Sequence, residues 1–132
     1  MEYIIRQIAS IIFGIVFIWI GIQHFRDPVW FEPIVPSILG NPKFWVYSSG
    51  FFEIFLGLGV MFPKTQRFAA LSIAIMLIIL YWANLNMWIN DIPIGGTRLS
   101  QLGHIIRGII QFILIIISLW IGKWYPFSVK TV

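Results

Sequence analysis

The sequence contains no cysteine. Thiol or disulfide relays carried by this chain are therefore excluded, and the commonest soft metal ligands are missing. Charge is the second scarcity. Only 11% of the 132 residues are Asp, Glu, Lys or Arg, against 59% hydrophobic, whereas soluble domains carry about 25% charged residues. Lipid rather than water is expected to cover such a chain. Also missing are a strong internal repeat, a composition break that would mark a second domain, and an alternating ten-residue pattern of barrel strands. There is no nucleotide-binding glycine loop and no helical histidine pair placed for haem, so nothing in the chain carries electrons by itself. A single domain over residues 1–132 is expected.

Acidic residues are scarcer than basic ones, five against nine, for a formal net charge of +4. The nine Lys and Arg are spread along the whole chain rather than massed on a tail or one helix face, which argues against nucleic acid and for a topogenic role.

What the chain does have is apolar runs of membrane-crossing length. A hydrocarbon core about 30 Å thick takes about 20 helical residues to span, and four runs of that order appear, at about 3–25, 45–62, 66–90 and 99–121. Asp27-Pro28, Pro63, the Asp91 to Gly96 stretch and Gly122 with Pro126 interrupt them. The first run follows the charged start MEYIIRQ but ends in GIQHFRDP without a small-residue cleavage site, so it is expected to remain as the first helix. The fold expected is all-α: a polytopic membrane protein built as an antiparallel bundle of four transmembrane helices.

Short connections alternate between the two sides of such a bundle. Arg6, Lys64, Arg67, Lys123 and Lys130 fall on one side, and Arg26, Lys43 and Arg98 on the other with Asp27, Glu32 and Asp91. The excess on the first side puts both termini in the cytoplasm of a prokaryotic inner membrane. Tyr3, Trp120, Trp124 and Tyr125 then form an inner aromatic belt, and Trp30, Trp45, Tyr47 and Trp88 an outer one. The longest connection, RDPVWFEPIVPSILGNPKF, mixes four prolines with large apolar residues. It is too apolar to float in water and too broken to span, so it is expected at the outer interface, over the mouth of the bundle, with one short helical turn.

Polar residues converge at one depth in the outward half. His24 ends the first helix, on a face with Gly14, Phe17 and Gly21. Glu53 lies on a stripe with Ser49 and Gly57, on the order of 10 Å from the outer surface at the helical rise. Asn84 and Asn86 lie in the last turns of the third helix, and Ser100, His104, Arg107 and Gln111 form one stripe on the fourth. The inward half contains almost nothing comparable. Charge in hydrocarbon costs from about 2.5 to more than 10 kcal/mol, so Glu53 and Arg107 are expected to face the interior and each other. Arg107, always protonated, would hold Glu53 and keep donors for Asn84 or Gln111. His24, His104 and Glu53 are metal-ligand types, but their spacing is not diagnostic and no metal is expected. The glycines of the first two helices are expected to be close-packing positions.

Several stretches together resemble the DoxX-like family of small four-helix membrane proteins. They are His24-Phe25, Ile34-Val35-Pro36, Val46-Tyr47 through Gly50 to Glu53, Pro63-Lys64, Ala83-Asn84 with Met87, and Arg107 to Gln111. They recur in order along nearly the whole chain. The family often has Arg-Leu-Pro-Leu-Gln where this chain has Arg107-Gly108-Ile109-Ile110-Gln111, and Pro-Ala-Asn at Trp82-Ala83-Asn84. The resemblance implies the fold more narrowly than the activity, since such proteins are described as quinone-reducing subunits, as partners in oxidative-stress complexes and as assembly chaperones.

Two readings of the polar cluster follow. In one, the chain binds a quinone or another small polar-headed molecule in a membrane redox system, as an oxidoreductase subunit if it is an enzyme. Glu53 and His24 then exchange protons as the catalytic pair, and Arg107, Asn84, Gln111, His104 and Tyr47 bind the ligand. In the other, it is an accessory or assembly subunit that binds a membrane or redox protein, or a second copy of itself, and the Glu-Arg cluster is a structural clamp.

Overall fold

The computed structural model describes residues 1–127; Lys130, one of the cations expected on the inner side, lies outside the described residues. The elements are α1 (Glu2–Arg26), α2 (Pro28–Phe31), α3 (Pro42–Met61), α4 (Pro63–Ile89) and α5 (Gln101–Ile121), with two 3-10 turns, Glu32–Ile34 and Ser37–Leu39, between α2 and α3. Among the described residues the one β feature is an isolated bridge from Ile94 to Thr97, closed by Gly95 and Gly96 at positive φ.

Four of these helices, α1, α3, α4 and α5, are long and apolar enough to cross a membrane. Only 17% to 33% of the most apolar stretch of each is buried inside the protein. Most of their large side chains therefore face outward, far more apolar surface than a soluble monomer exposes.

Pro28 and Pro63, read as helix stops, prove to be helix starts as well, opening α2 and α4, and a third proline does the same. Pro42 opens α3 behind Asn41, whose side chain accepts from Lys43 N at 3.1 Å. Pro63 opens α4, and extended Phe62 is the sole residue between α3 and α4. Thr65 Oγ1 donates to Gly59 O at 2.5 Å and Gln66 Nε2 to Val60 O at 3.2 Å, tying off the carbonyls at the end of α3. Ser100 caps α5 by accepting from Gly103 N at 3.1 Å.

The helices pack as two pairs. In the first, Gly14 of α1 lies against Gly57 of α3, and Gly21 against Gly50. A Cβ on Gly21 would stand 2.7 Å from Gly50 O, and one on Gly57 2.9 Å from Gly14 O. Only glycine allows backbones this close. In the second pair, Ser118 Oγ of α5 donates to Ala70 O of α4 at 2.5 Å and Gln111 Nε2 to Leu77 O at 2.7 Å. An apolar core of Phe13, Phe17, Val60, Ala69, Ala70, Ile73, Leu77 and Ile121 joins the pairs.

The end of the molecule near Arg6 is more polar inside than its sequence suggests. Arg6, Ser10 and Ser118 are buried. Arg6 Nε donates to Trp120 O at 3.1 Å and Nη2 to Glu2 at 2.7 Å, with the guanidinium over the Trp120 ring. Gln7 Nε2 donates to Met61 O at 3.1 Å, and Gln66 Nε2 to Gln7 Oε1 at 3.0 Å. The expectation that this half contains almost nothing comparable to the polar cluster of the other is corrected here. Residues that satisfy the positive-charge pattern of a loop turn back and clasp the helix ends instead.

Candidate functional site

Toward the other end, between the α1–α3 and α4–α5 pairs, lies a cavity of about 840 Å³, within the range of small-molecule sites. The α2 to 3-10 segment roofs it with Trp30, Phe31, Ile34, Val35, Pro36 and Leu39. This segment folds as one α-helical and two 3-10 turns, more structure than the single turn expected. It is pinned from both sides, since Asn86 Nδ2 donates to Ile34 O at 3.0 Å and Trp45 Nε1 to Leu39 O at 2.8 Å. Ile34 packs on Met87 and Ile94 beneath it.

One wall carries His24 and Glu53, respectively 8% and 4% exposed. They meet because α1 and α3 approach at Gly21 and Gly50, which sets the next turn of each helix face to face. His24 Nδ1 lies 2.9 Å from Ile20 O and 3.3 Å from Glu53 Oε2. A carbonyl oxygen only accepts, so Nδ1 carries a proton and donates to Ile20. Glu53 Oε2 is left without a hydrogen-bond partner. Phe31 of the roof stacks on the His24 ring, centroids 3.9 Å apart.

The facing wall carries Asn84, Arg107 and Gln111. Arg107 Nη2 donates to Asn84 Oδ1, linking α4 to α5. The remaining N–H groups of the guanidinium make no hydrogen bond among the described residues.

The expected ion pair of Glu53 with Arg107 does not form. The two line the same cavity, but on helices of different pairs, and each takes a nearer neighbour, His24 and Asn84 respectively. Of the other residues picked out in the sequence, Gln111 lines the cavity, whereas His104 and Tyr47 stand outside its wall. His104 stacks on Trp88 at 5.6 Å and Tyr47 on Phe25 at 5.3 Å, each filling a seam within a helix pair. Ser49, noted on the Glu53 stripe, also lines the cavity, as do Gln23 and Asp27, which were missed. Gln23 neighbours His24 in the last turn of α1 and Asp27 caps that helix, its N–H donating to Gln23 O, so their place beside His24 could have drawn attention to them.

The fold and its cavity define a class, small helical proteins with four candidate membrane-crossing helices around a largely apolar chamber that carries a few polar groups. Within it, the family described as a domain of unknown function (DUF8561) matches residues 13–122, and the chain belongs to that family. The match takes in every cavity residue named above but not Arg6 or Gln7. No curated protein and no solved structure matches the chain.

Proposed function

We propose that this chain is an integral membrane protein whose cavity binds a small polar-headed molecule, a quinone being the candidate, as part of a membrane-associated redox system. The observation that carries the reading is the cavity itself. An apolar chamber of about 840 Å³ holds a carboxyl and an imidazole on one wall and a guanidinium with two amides on the other. A purely structural clamp would close the two walls on each other, as Arg6 does at the opposite end. The DoxX resemblance, carried by His24, Glu53, Asn84, Arg107 and Gln111 among others, supports the same reading.

In this proposal the four helices form an antiparallel bundle. The succession of contacts supports it, since Gly14 and Gly21 of α1 meet Gly57 and Gly50 of α3 in reverse order. Arg6, Lys64, Arg67 and Lys123 face the cytoplasm of a prokaryotic inner membrane, and the roof segment lies at the outer interface. In the purified protein, a short-chain alkyl benzoquinone should raise the thermal midpoint, and Arg107→Ala should remove most of that rise. No shift with any quinone over a wide concentration range would count against the proposal.

One observation favours the second reading, an accessory subunit or a homo-oligomer. Phe44, Phe51, Phe52 and Phe55 make an exposed aromatic face on α3, with Phe51 and Phe55 stacked at 6.1 Å. The glycine faces do not add to it, because they are used within the α1–α3 seam.

A further inference from the structure

Two features of the cavity narrow its occupant. The first is a mismatch of hydrogen-bonding groups across it. Glu53 is 4% exposed and lines the cavity, yet its Oε2 has no partner. The nearest N–H, on His24 Nδ1, is already directed to Ile20 O. On the facing wall Arg107 spends one N–H group on Asn84 and keeps the others, and Gln111 spends its Nε2 on Leu77 O and keeps its oxygen. An acceptor short of a donor thus faces a donor short of acceptors. An ammonium head would answer Glu53, and Asp27 where the cavity meets the surface, but confront Arg107, and a carboxylate head would do the reverse. An uncharged hydroxyl, which both donates and accepts, suits both walls.

The second feature is where the cavity opens. Its roof is filled by the α2 to 3-10 segment, but three residues line it while being well exposed, Trp19 of α1 at 61% and Ile79 and Trp82 of α4 at 62% and 50%. On α4, Leu77, Tyr81 and Asn84 are turned to α5. At about 100° per residue, Ile79 and Trp82 project to the far side, toward α3, where Trp45 and Ser49 form the opposite edge of the gap. The cavity therefore reaches the lateral surface of the bundle, beside Trp19 on α1 and, with the wider set of exposed lining residues, between α3 and α4.

We propose that the occupant is an uncharged, membrane-dissolved amphiphile whose head bears a hydroxyl. The head donates its O–H to Glu53 and accepts from Arg107, and its hydrocarbon chain leaves sideways between α3 and α4 past Trp82. The inference rests on the ligand-binding reading above and narrows it, since an alkylated hydroquinone belongs to this class and the matching quinone lacks the donor.

The test needs no variant to begin with. The protein in lipid nanodiscs is titrated with 4-decylphenol and with 4-decylanisole at equal mole fractions in lipid, and affinity is read from the rise in thermal midpoint. The two probes differ by one methyl group that removes the donor. The phenol should bind at least tenfold tighter, and Glu53→Leu should bring the two within about twofold of each other by weakening the phenol. Ile79→Trp, which narrows the lateral opening, should weaken 4-decylphenol severalfold and spare 4-methylphenol, which fits inside. Equal binding of phenol and anisole by the unmodified protein overturns the hydroxyl head, and tighter binding of decylammonium or decanoate overturns its neutrality. Equal loss of both phenols in Ile79→Trp overturns the lateral exit. If none of these probes nor an alkyl benzoquinone binds, the ligand-binding reading falls with it.

Discussion

His24 and Glu53 sit 3.3 Å apart on neighbouring helices, but the Nδ1 proton of the histidine is directed to the Ile20 carbonyl, which lies closer at 2.9 Å. The carboxyl is thus buried beside a donor it does not own. Such an arrangement costs stability, because a buried polar group without its hydrogen bond loses its hydration uncompensated. Proteins retain such groups chiefly where they are used.

Replacing Glu53 by leucine should accordingly leave the fold intact or stabilise it, by up to about 2 kcal/mol, since no partner is stranded by its loss. Chemical denaturation in detergent measures this. A loss of more than about 2 kcal/mol would mean that Glu53 holds the helices together and that the clamp reading is the better one.

The glycine seam makes the opposite demand. Gly21→Ala or Gly57→Ala puts a methyl group within 3 Å of a backbone carbonyl on the facing helix. Neither backbone can yield cheaply, so each should cost about 1–3 kcal/mol and lower the thermal midpoint. Unchanged melting would show that α1 and α3 are further apart than described here.

At the other end, Arg6→Lys retains the charge but not the planar fork that reaches Trp120 O and Glu2 together. Stability should fall by about 1.5–3 kcal/mol, the range for hydrogen bonds to charged groups. Ligand shifts should persist at temperatures where the variant is folded. Loss of binding in a stably folded Arg6→Lys would tie this clasp to the cavity.

Because the chain has no cysteine, single cysteines can map its topology on an unmodified background. Lys64→Cys, in the turn between α3 and α4, should react with a membrane-impermeant maleimide only after the cells are opened. Ser37→Cys, exposed on the roof segment, should react in intact cells. The reverse pattern would invert the orientation given by the positive-charge count.

Much of the fold was legible because bilayer physics writes itself into composition. Runs of about 20 apolar residues read directly as helices long and apolar enough to cross a membrane. Gly14, Gly21, Gly50 and Gly57 were legible as close-packing positions for the same reason. Residues within one helix, such as the Arg107 to Gln111 stripe, follow from periodicity. Contacts between helices do not, because rotation and separation are set by packing. Glu53 and Arg107 were therefore placed at one depth but wrongly joined. His104, at the correct depth, turns into the seam with Trp88. Arg6 was hidden for another reason, because the charge rule that explains a basic residue near a helix end leaves no sign that it is buried. Pro28 and Pro63 carried two messages, ending one element and starting the next, and only the first was read.

The single residue Phe62 between α3 and α4 gives the molecule the mechanics of a pair of tweezers. The helix pairs are fastened at one tip by that link and by Arg6, and parted at the other by the chamber. A small change in the angle between the pairs would then widen or narrow the chamber while the fastened end stays in place.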